Sequence, residues 1–328
     1  MKIRSILLAV VLGASLVSAP AQAATQLIVG VAYDIGGRGD KSFNDASAAG
    51  LEKAQKQFDF NLEAVVTDGT STDREKRIRS LITKKCNPIV AIGAGYAPTL
   101  QALAVEFPNT QFAIINDASV AALNVTSVVF ADTQGAYLAG FSAAQVSKSG
   151  KVAMIANPDQ ADLYKDGFSA GVFASKKKVI PIVKYVSGSY SVATSQVLDA
   201  GADVVFATTH GSNSEIFKVI VARNAKKKGS NIGLINIEPD QYITVTSATK
   251  RFLFASVVKR VDKAIYDVIA LSSAKRAYLD ILDGDAGIYG RRYGITGGGI
   301  EFTIRSKELA VLSDSINVAA ATAEKILA

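Results

Sequence analysis

The sequence predicts an α/β fold of two doubly wound lobes with parallel sheets, and three observations predict it. Short runs of Val, Ile, Leu and Ala recur ten times along the chain, the pattern of strands buried on both faces of a parallel sheet. Amphipathic stretches separate them, so strands and helices alternate. Ten strands are too many for one ordinary doubly wound domain but suit two of about five each, and the chain of 328 residues has the length for two domains.

The first residues fix the compartment. Lys2 and Arg4 form a short positive region, Ile6 to Val17 is apolar, and Ala21-Gln22-Ala23 supplies the small residues that signal peptidase needs. This reads as a secretory signal peptide cleaved after Ala23, too short to be a membrane span. No cysteine stands at the cleavage point, so a free periplasmic protein is expected rather than a lipid-anchored one. Removal of the segment lowers the net charge from +7 to +5, mild for about 305 residues. The triplets Lys176–Lys178 and Lys226–Lys228 lack interleaved aromatics and read as solvated turns or helix ends, not as a nucleic-acid footprint. The lone Cys86 forbids an internal disulfide and reads as a small buried apolar side chain beside a strand.

The expected strands are Leu27–Tyr33, Leu62–Thr67, Ile89–Ile92, Phe112–Asn116, Ser127–Ala131, Lys151–Ala156, Val179–Val186, Asp203–Thr208, Ile232–Ile237 and Leu253–Val258. Ser42 with Asp45 reads as an N-cap box, followed by Leu51, Ala54 and Phe58 at helical spacing. A crossover is expected after Ala131, ahead of a helix over Gly135–Val146.

In wound sheets ligands bind beyond the carboxyl ends of strands, so the residues after each strand are the candidates. The first strand is followed by Asp34, a glycine-rich turn, Phe43 and Asn44. Asn116 and Asp117 follow the fourth, Ser187-Gly-Ser-Tyr190 the seventh, Thr209-His-Gly-Ser-Asn213 the eighth, and Glu238-Pro-Asp-Gln241 the ninth. The tenth ends at Lys259. Two aromatics, several carboxylates, an amide and one lysine suit a flat, hydroxylated, uncharged ligand. Phe43 also fits a second role, a staple packed under its own helix.

Other chemistries lack their residues. Walker A needs Gly-Lys-Ser/Thr, and Asp40 stands where that glycine should be. The same loop is not G-x-G-x-x-G, and no G-x-S-x-G is present. His210 is the only histidine, so neither a metal site nor a catalytic histidine is expected, and no cofactor is.

The stretch Val31–Asn44, containing Asp34-Ile-Gly-Gly-Arg-Gly-Asp-Lys-Ser-Phe-Asn44, resembles the opening of the basic membrane protein family of ABC-transporter solute receptors, best known for purine-nucleoside receptors. Gly135-Ala-Tyr-Leu-Ala-Gly140, Gly167-Phe-Ser-Ala-Gly171, Gly201-Ala-Asp-Val-Val205, Asp240-Gln-Tyr242 and Ser256-Val-Val-Lys-Arg-Val-Asp262 are similar to further family motifs, in the family's order. The resemblance implies a type I periplasmic-binding-protein architecture, in which two doubly wound lobes flank a hinged ligand cleft and the chain crosses between them three times. It implies 24–130 plus 259–283 as the first lobe and 131–258 plus 284–328 as the second. It also implies that Phe43 stacks on a base with Asp34 and Asn44 nearby, that Asp117 contacts the base, that Tyr190 closes the sandwich, and that Lys259 and Glu238 hold ribose. Gly211 and Asp240 complete the set. Three positions depart from the family: Glu238-Pro239 stands for the usual acid and its neighbour, His-Gly-Ser-Asn213 for G-G-T-G, and Gln134 for Glu.

The expected function is capture of a small molecule, a purine nucleoside or similar solute, by a monomer that delivers it to an ABC permease. The alternatives are a riboflavin or sugar receptor, a sensor subunit, or an enzyme such as a nucleoside hydrolase.

Overall fold

The computed structural model describes residues 26–158, 161–209, 213–226, 229–237 and 241–326. The expected signal segment and its cleavage site, His210, Gly211, Glu238 and Asp240 lie outside them.

The described residues form two sheets. The first holds β1 (Leu27–Tyr33), β2 (Phe60–Val66), β3 (Ile89–Ile92), β4 (Phe112–Ile115), β5 (Val125–Phe130), β11 (Asp280–Asp283) and β12 (Ile288–Tyr293) in the order β11-β12-β5-β4-β3-β1-β2. The second holds β6 (Lys151–Ala156), β7 (Ile180–Tyr185), β8 (Val204–Thr208), β9 (Gly233–Ile237), β10 (Leu253–Lys259) and β13 (Ile300–Ile304) in the order β13-β10-β9-β8-β6-β7. All pairs are parallel except β11 with β12 and β10 with β13. Every residue of β3, β4, β8, β9 and β10 is buried, which is why these strands are nearly unbroken apolar runs.

All ten expected strands are present, shifted by at most two residues at either end. The three additional strands lie at or beside the sheet edges, and each takes part in an antiparallel pair. Their sequences, Asp280-Ile-Leu-Asp283, Ile288-Tyr-Gly-Arg-Arg-Tyr293 and Ile300-Glu-Phe-Thr-Ile304, mix charge with apolar residues because one face stays wet. The expected lobe boundary needs one correction. β12 pairs with β5 in the first sheet, so residues 288–293 extend that sheet instead of joining the second lobe.

The lobes are joined by three crossings, from β5 into α4 (Asp132–Val146), from β10 into α9 (Val261–Ser273), and from β12 to β13. Backbone bonds tie them together: Ala131 N–H donates to Tyr293 O at 2.9 Å, and Arg260 N–H to Gly299 O at 2.9 Å. The Ile295 N–H donates to Gln134 Oε1 at 3.0 Å, which gives the departure at Gln134 a structural use.

Helix α4 is buried without interruption from Gln134 to Ala144 and lies against α5 (Ala161–Ala174). A Cβ at Gly140 would stand 2.0 Å from Phe168 O, one at Gly171 2.0 Å from Tyr137 O, and one at Gly167 2.3 Å from Thr133 O. The glycines of two family-like motifs thus let two helix backbones touch.

The start of α1 (Phe43–Gln55) differs from expectation. Ser42 makes no capping bond to the helix. Asp40 does the work instead, accepting from the N–H groups of Ser42 (2.8 Å), Asn44 (3.0 Å) and Asp45 (3.1 Å). Asp45 in turn accepts from Gly39 and Lys41 N–H. A carboxylate suits that place because a helix N-terminus offers unpaired N–H groups and partial positive charge. Cys86 is buried beside Gly30, where burial pushes its thiol up to about 11. Lys176–Lys178 lie exposed in a turn.

Candidate ligand-binding site

Strand ends from both sheets converge on Lys259, the last residue of β10, whose side chain is fully buried. A buried ammonium survives only if its protons are bonded. Nζ lies 2.8 Å from each oxygen of Asp132 and donates to Tyr164 Oη at 3.1 Å and Asn116 Oδ1 at 3.3 Å. Burial opposes its charge, but the Asp132 carboxylate and the Tyr164 hydroxyl more than offset that, holding the ammonium above its ordinary value. Three rings surround it, Phe43, Phe130 and Tyr164, with centroids 5.7–5.8 Å from Nζ.

These partners come from both lobes. Asn116 follows β4 and adopts φ 66°, which asparagine tolerates. Asp132 opens α4, and Tyr164 sits on α5. Asn116, Asp117, Asp132 and Tyr164 line one cavity of about 280 Å³, with Phe130 and Arg292 on its wall. A second cavity, about 270 Å³, runs from Lys41, Ser42 and Asp45 to Lys259 and Arg260. A larger crevice of about 490 Å³ adjoins it at Lys41 and Ser42 and is walled by apolar residues of α7 (Asn213–Lys226) and by Val245. Asp40, Lys218, Gln241 and Thr244 also line it, but strand ends from both sheets meet at Lys259, so the candidate site is placed at the smaller pair of cavities.

The expected residues fall into groups. Phe43 and Lys259 are brought together, and Asp117 shares the cavity of Lys259's partners. Asp117 Oδ1 accepts from Ser119 N–H (2.8 Å) and Oγ (2.7 Å), which fixes the turn after β4. Asn44 is buried and spends its side chain on the loop: Oδ1 accepts from Asp34 N–H at 3.0 Å, and Nδ2 donates to Asp34 O at 3.3 Å. Asp34 Oδ1 accepts from Arg74 Nη2 at 2.7 Å. Tyr190 is the first residue of α6 (Tyr190–Asp199); its hydroxyl donates to Asn157, and its half-buried ring packs on the second-lobe core. Thr209 Oγ1 donates to Asn213 Oδ1 at 2.8 Å and Asn213 Nδ2 to Gln241 Oε1 at 3.2 Å, so these loop residues bond to one another.

Asp132 and Tyr164 were not legible as site residues. Asp132 carried one signal, an acid in the first helical turn directly after a strand end. Tyr164 carried none, because its role depends on how α5 packs.

Known proteins share this architecture. A structure described as a transcriptional activator of the comK gene from Bacillus halodurans superposes with a TM-score of 0.73 at 19% identity, over 90% of this chain and 96% of that one. A solute-binding protein of an ABC transporter system from Aeropyrum pernix gives 0.67 at 20% identity, over 91% and 86%. In sequence, a CD4+ T-cell-stimulating antigen of Listeria innocua is 27% identical over 267 residues, 75% of this chain and 73% of the relative. The ABC transporter nucleoside-binding protein BmpA of Lactococcus lactis is 25% identical over 261 residues, 74% of each. The family model described as Bmp, ABC transporter substrate-binding protein PnrA-like, matches residues 28–326. The chain therefore belongs to the PnrA-like family of ABC transporter substrate-binding proteins.

Proposed function

We propose that the protein captures a purine nucleoside between its lobes in the periplasm and presents the closed form to an ABC permease. The observation that carries this reading is the convergence of Asn116 and Phe43 from one lobe with Asp132 and Tyr164 from the other around buried Lys259. Acceptors and donors of that kind suit hydroxyls, and Phe43 offers a ring face to a base. The Lactococcus relative, described as nucleoside-binding, supports the same ligand class.

On this reading the ammonium of Lys259 already has three protein acceptors, so it acts through them as well as on the ligand. Asn116, its longest partner at 3.3 Å, is the one a sugar hydroxyl replaces most readily. Asp132 takes the carboxylate role that the family resemblance implies for Glu238. Asp34, Asn44, Tyr190, Gly211 and Asp240 complete the proposed cleft. Chemistry is not required of this constellation; closure and release are.

Native mass spectrometry of whatever co-purifies, followed by calorimetric titration with inosine, guanosine, adenosine, cytidine, GMP, riboflavin and ribose, tests the reading. Inosine or guanosine is expected to bind most tightly. Binding of a sugar or flavin with no nucleoside bound overturns the ligand class.

A further inference from the structure

Arg74, on α2 (Ser71–Thr83), lies outside every motif that points to the site, yet it makes an unusual set of contacts. Its side chain is only 12% exposed. Nη1 donates to Gly69 O at 2.6 Å and Nη2 to Asp34 Oδ1 at 2.7 Å. The guanidinium lies 5.4 Å from the centroid of the Tyr96 ring, and the Tyr96 hydroxyl donates to Tyr33 O at 2.8 Å. Gly95 leaves the room: a Cβ there would stand 2.6 Å from Arg74 Cζ. One planar cation therefore brackets the end of β1, the loop before α2, and the turn after β3.

Asp34 is held from two sides. Asn44 fixes its backbone N–H and carbonyl, and Arg74 fixes Oδ1. Among the described residues Oδ2 accepts no hydrogen bond. It rests over Gly93, where a Cβ would stand 3.1 Å away. The Gly93 N–H donates to Ile115 O, and the next residue is Asn116, whose Oδ1 accepts from Lys259. Asp34 Oδ2 thus belongs to the same row of strand ends as the site.

We propose that Arg74 is a positioning residue for ligand binding: it immobilises one oxygen of Asp34 so that the other is presented, in one orientation, to an O–H or N–H donor of the ligand. This rests on the reading of the cleft as a nucleoside site. An exposed ion pair contributes little because both side chains must be ordered to make it. Here the guanidinium is already fixed by Gly69, Tyr96 and Gly95, so Asp34 loses its freedom before the ligand arrives, and the ligand meets a preorganised acceptor.

A double-mutant cycle with inosine as the probe tests this. Asp34→Asn and Arg74→Gln are each expected to raise Kd about tenfold, the double variant no further than either alone, and Arg74→Lys to recover part of the loss. Gly95→Ala, which crowds the guanidinium without touching Asp34, is expected to weaken binding in the same direction. Thermal unfolding of each variant is recorded beside it. Additive losses, with Asp34→Asn still costing tenfold in the Arg74→Gln background, mean a purely structural role and overturn the proposal. Unchanged inosine binding in Arg74→Gln overturns it too. If the parent protein does not bind inosine, the nucleoside reading fails first and this proposal falls with it.

Discussion

Lys259 and Asp132 face each other from two different crossings between the lobes, with the ammonium 2.8 Å from each carboxylate oxygen. The pair therefore ties the path that enters the second lobe to the path that leaves it, at the place where the candidate cavities meet. Removing the cation while leaving the acid strands a charge that is only 12% exposed.

Lys259→Met is accordingly expected to lose about 3–5 kcal/mol of stability in urea unfolding. Adding Asp132→Asn should return most of that stability without returning ligand binding. A Lys259→Met protein as stable as its parent would show that the pair is not the tie described.

Phe43→Ala is expected to weaken inosine binding roughly tenfold to a hundredfold, the worth of about 1–3 kcal/mol for stacking on one ring. Small-angle scattering should show a smaller radius of gyration with saturating inosine than without. Identical curves at saturation would remove closure from the account.

Asp40→Ala is expected to destabilise the protein by about 1–2 kcal/mol, since three N–H groups at the start of α1 lose their acceptor. Asp40→Asn, which retains an acceptor oxygen, should cost less. Chemical denaturation of the two variants distinguishes them.

The Cys86 thiol, pushed up to about 11 by burial, should resist Ellman's reagent in the native protein at pH 8 and react fully in guanidinium. The sign of its pH effect follows. An unfolded thiol releases its proton near pH 9 while the folded one keeps it, so this group lowers stability as pH rises from about 9 to about 11. Rapid native labelling at pH 8 would contradict the burial.

How much was legible follows from where each signal resides. Central strands such as Ile89–Ile92 announce themselves because both faces are buried, so every residue is apolar. The pair Asp280–Asp283 and Ile288–Tyr293 does not, because one face is wet and Arg291 and Arg292 break the run. The first-strand loop is readable as a site element, but the box pattern points to Ser42 for the cap that Asp40 supplies. A Ser three residues before an acid fits the box pattern, while Asp40 two residues earlier reaches more N–H groups. Strand-end residues such as Asn116 could be found by rule. Asp132 and Tyr164 could not, since they reach Lys259 only through the packing of α4 on α5.

That packing carries its own prediction. Gly140→Ala places a methyl group 2.0 Å from Phe168 O, where only backbone displacement can relieve it, so a loss of about 3 kcal/mol is expected. Inosine affinity should fall with it, and unfolding and titration on one sample would reveal a loss of one without the other.

The contact of α4 with α5 also decides how this scaffold can be retuned. Asp132 opens one helix and Tyr164 rides on the other, and their backbones touch at Gly140, Gly167 and Gly171. The second-lobe wall is in effect a single casting, in which moving one ligand-facing group moves its neighbour. Phe43, the first residue of α1, and Asn116 and Asp117, neighbours in the turn after β4, belong to the first lobe and lie outside that helix contact. A selection for new ligand preference in this scaffold should therefore gather its changes at those three positions, leaving the casting untouched.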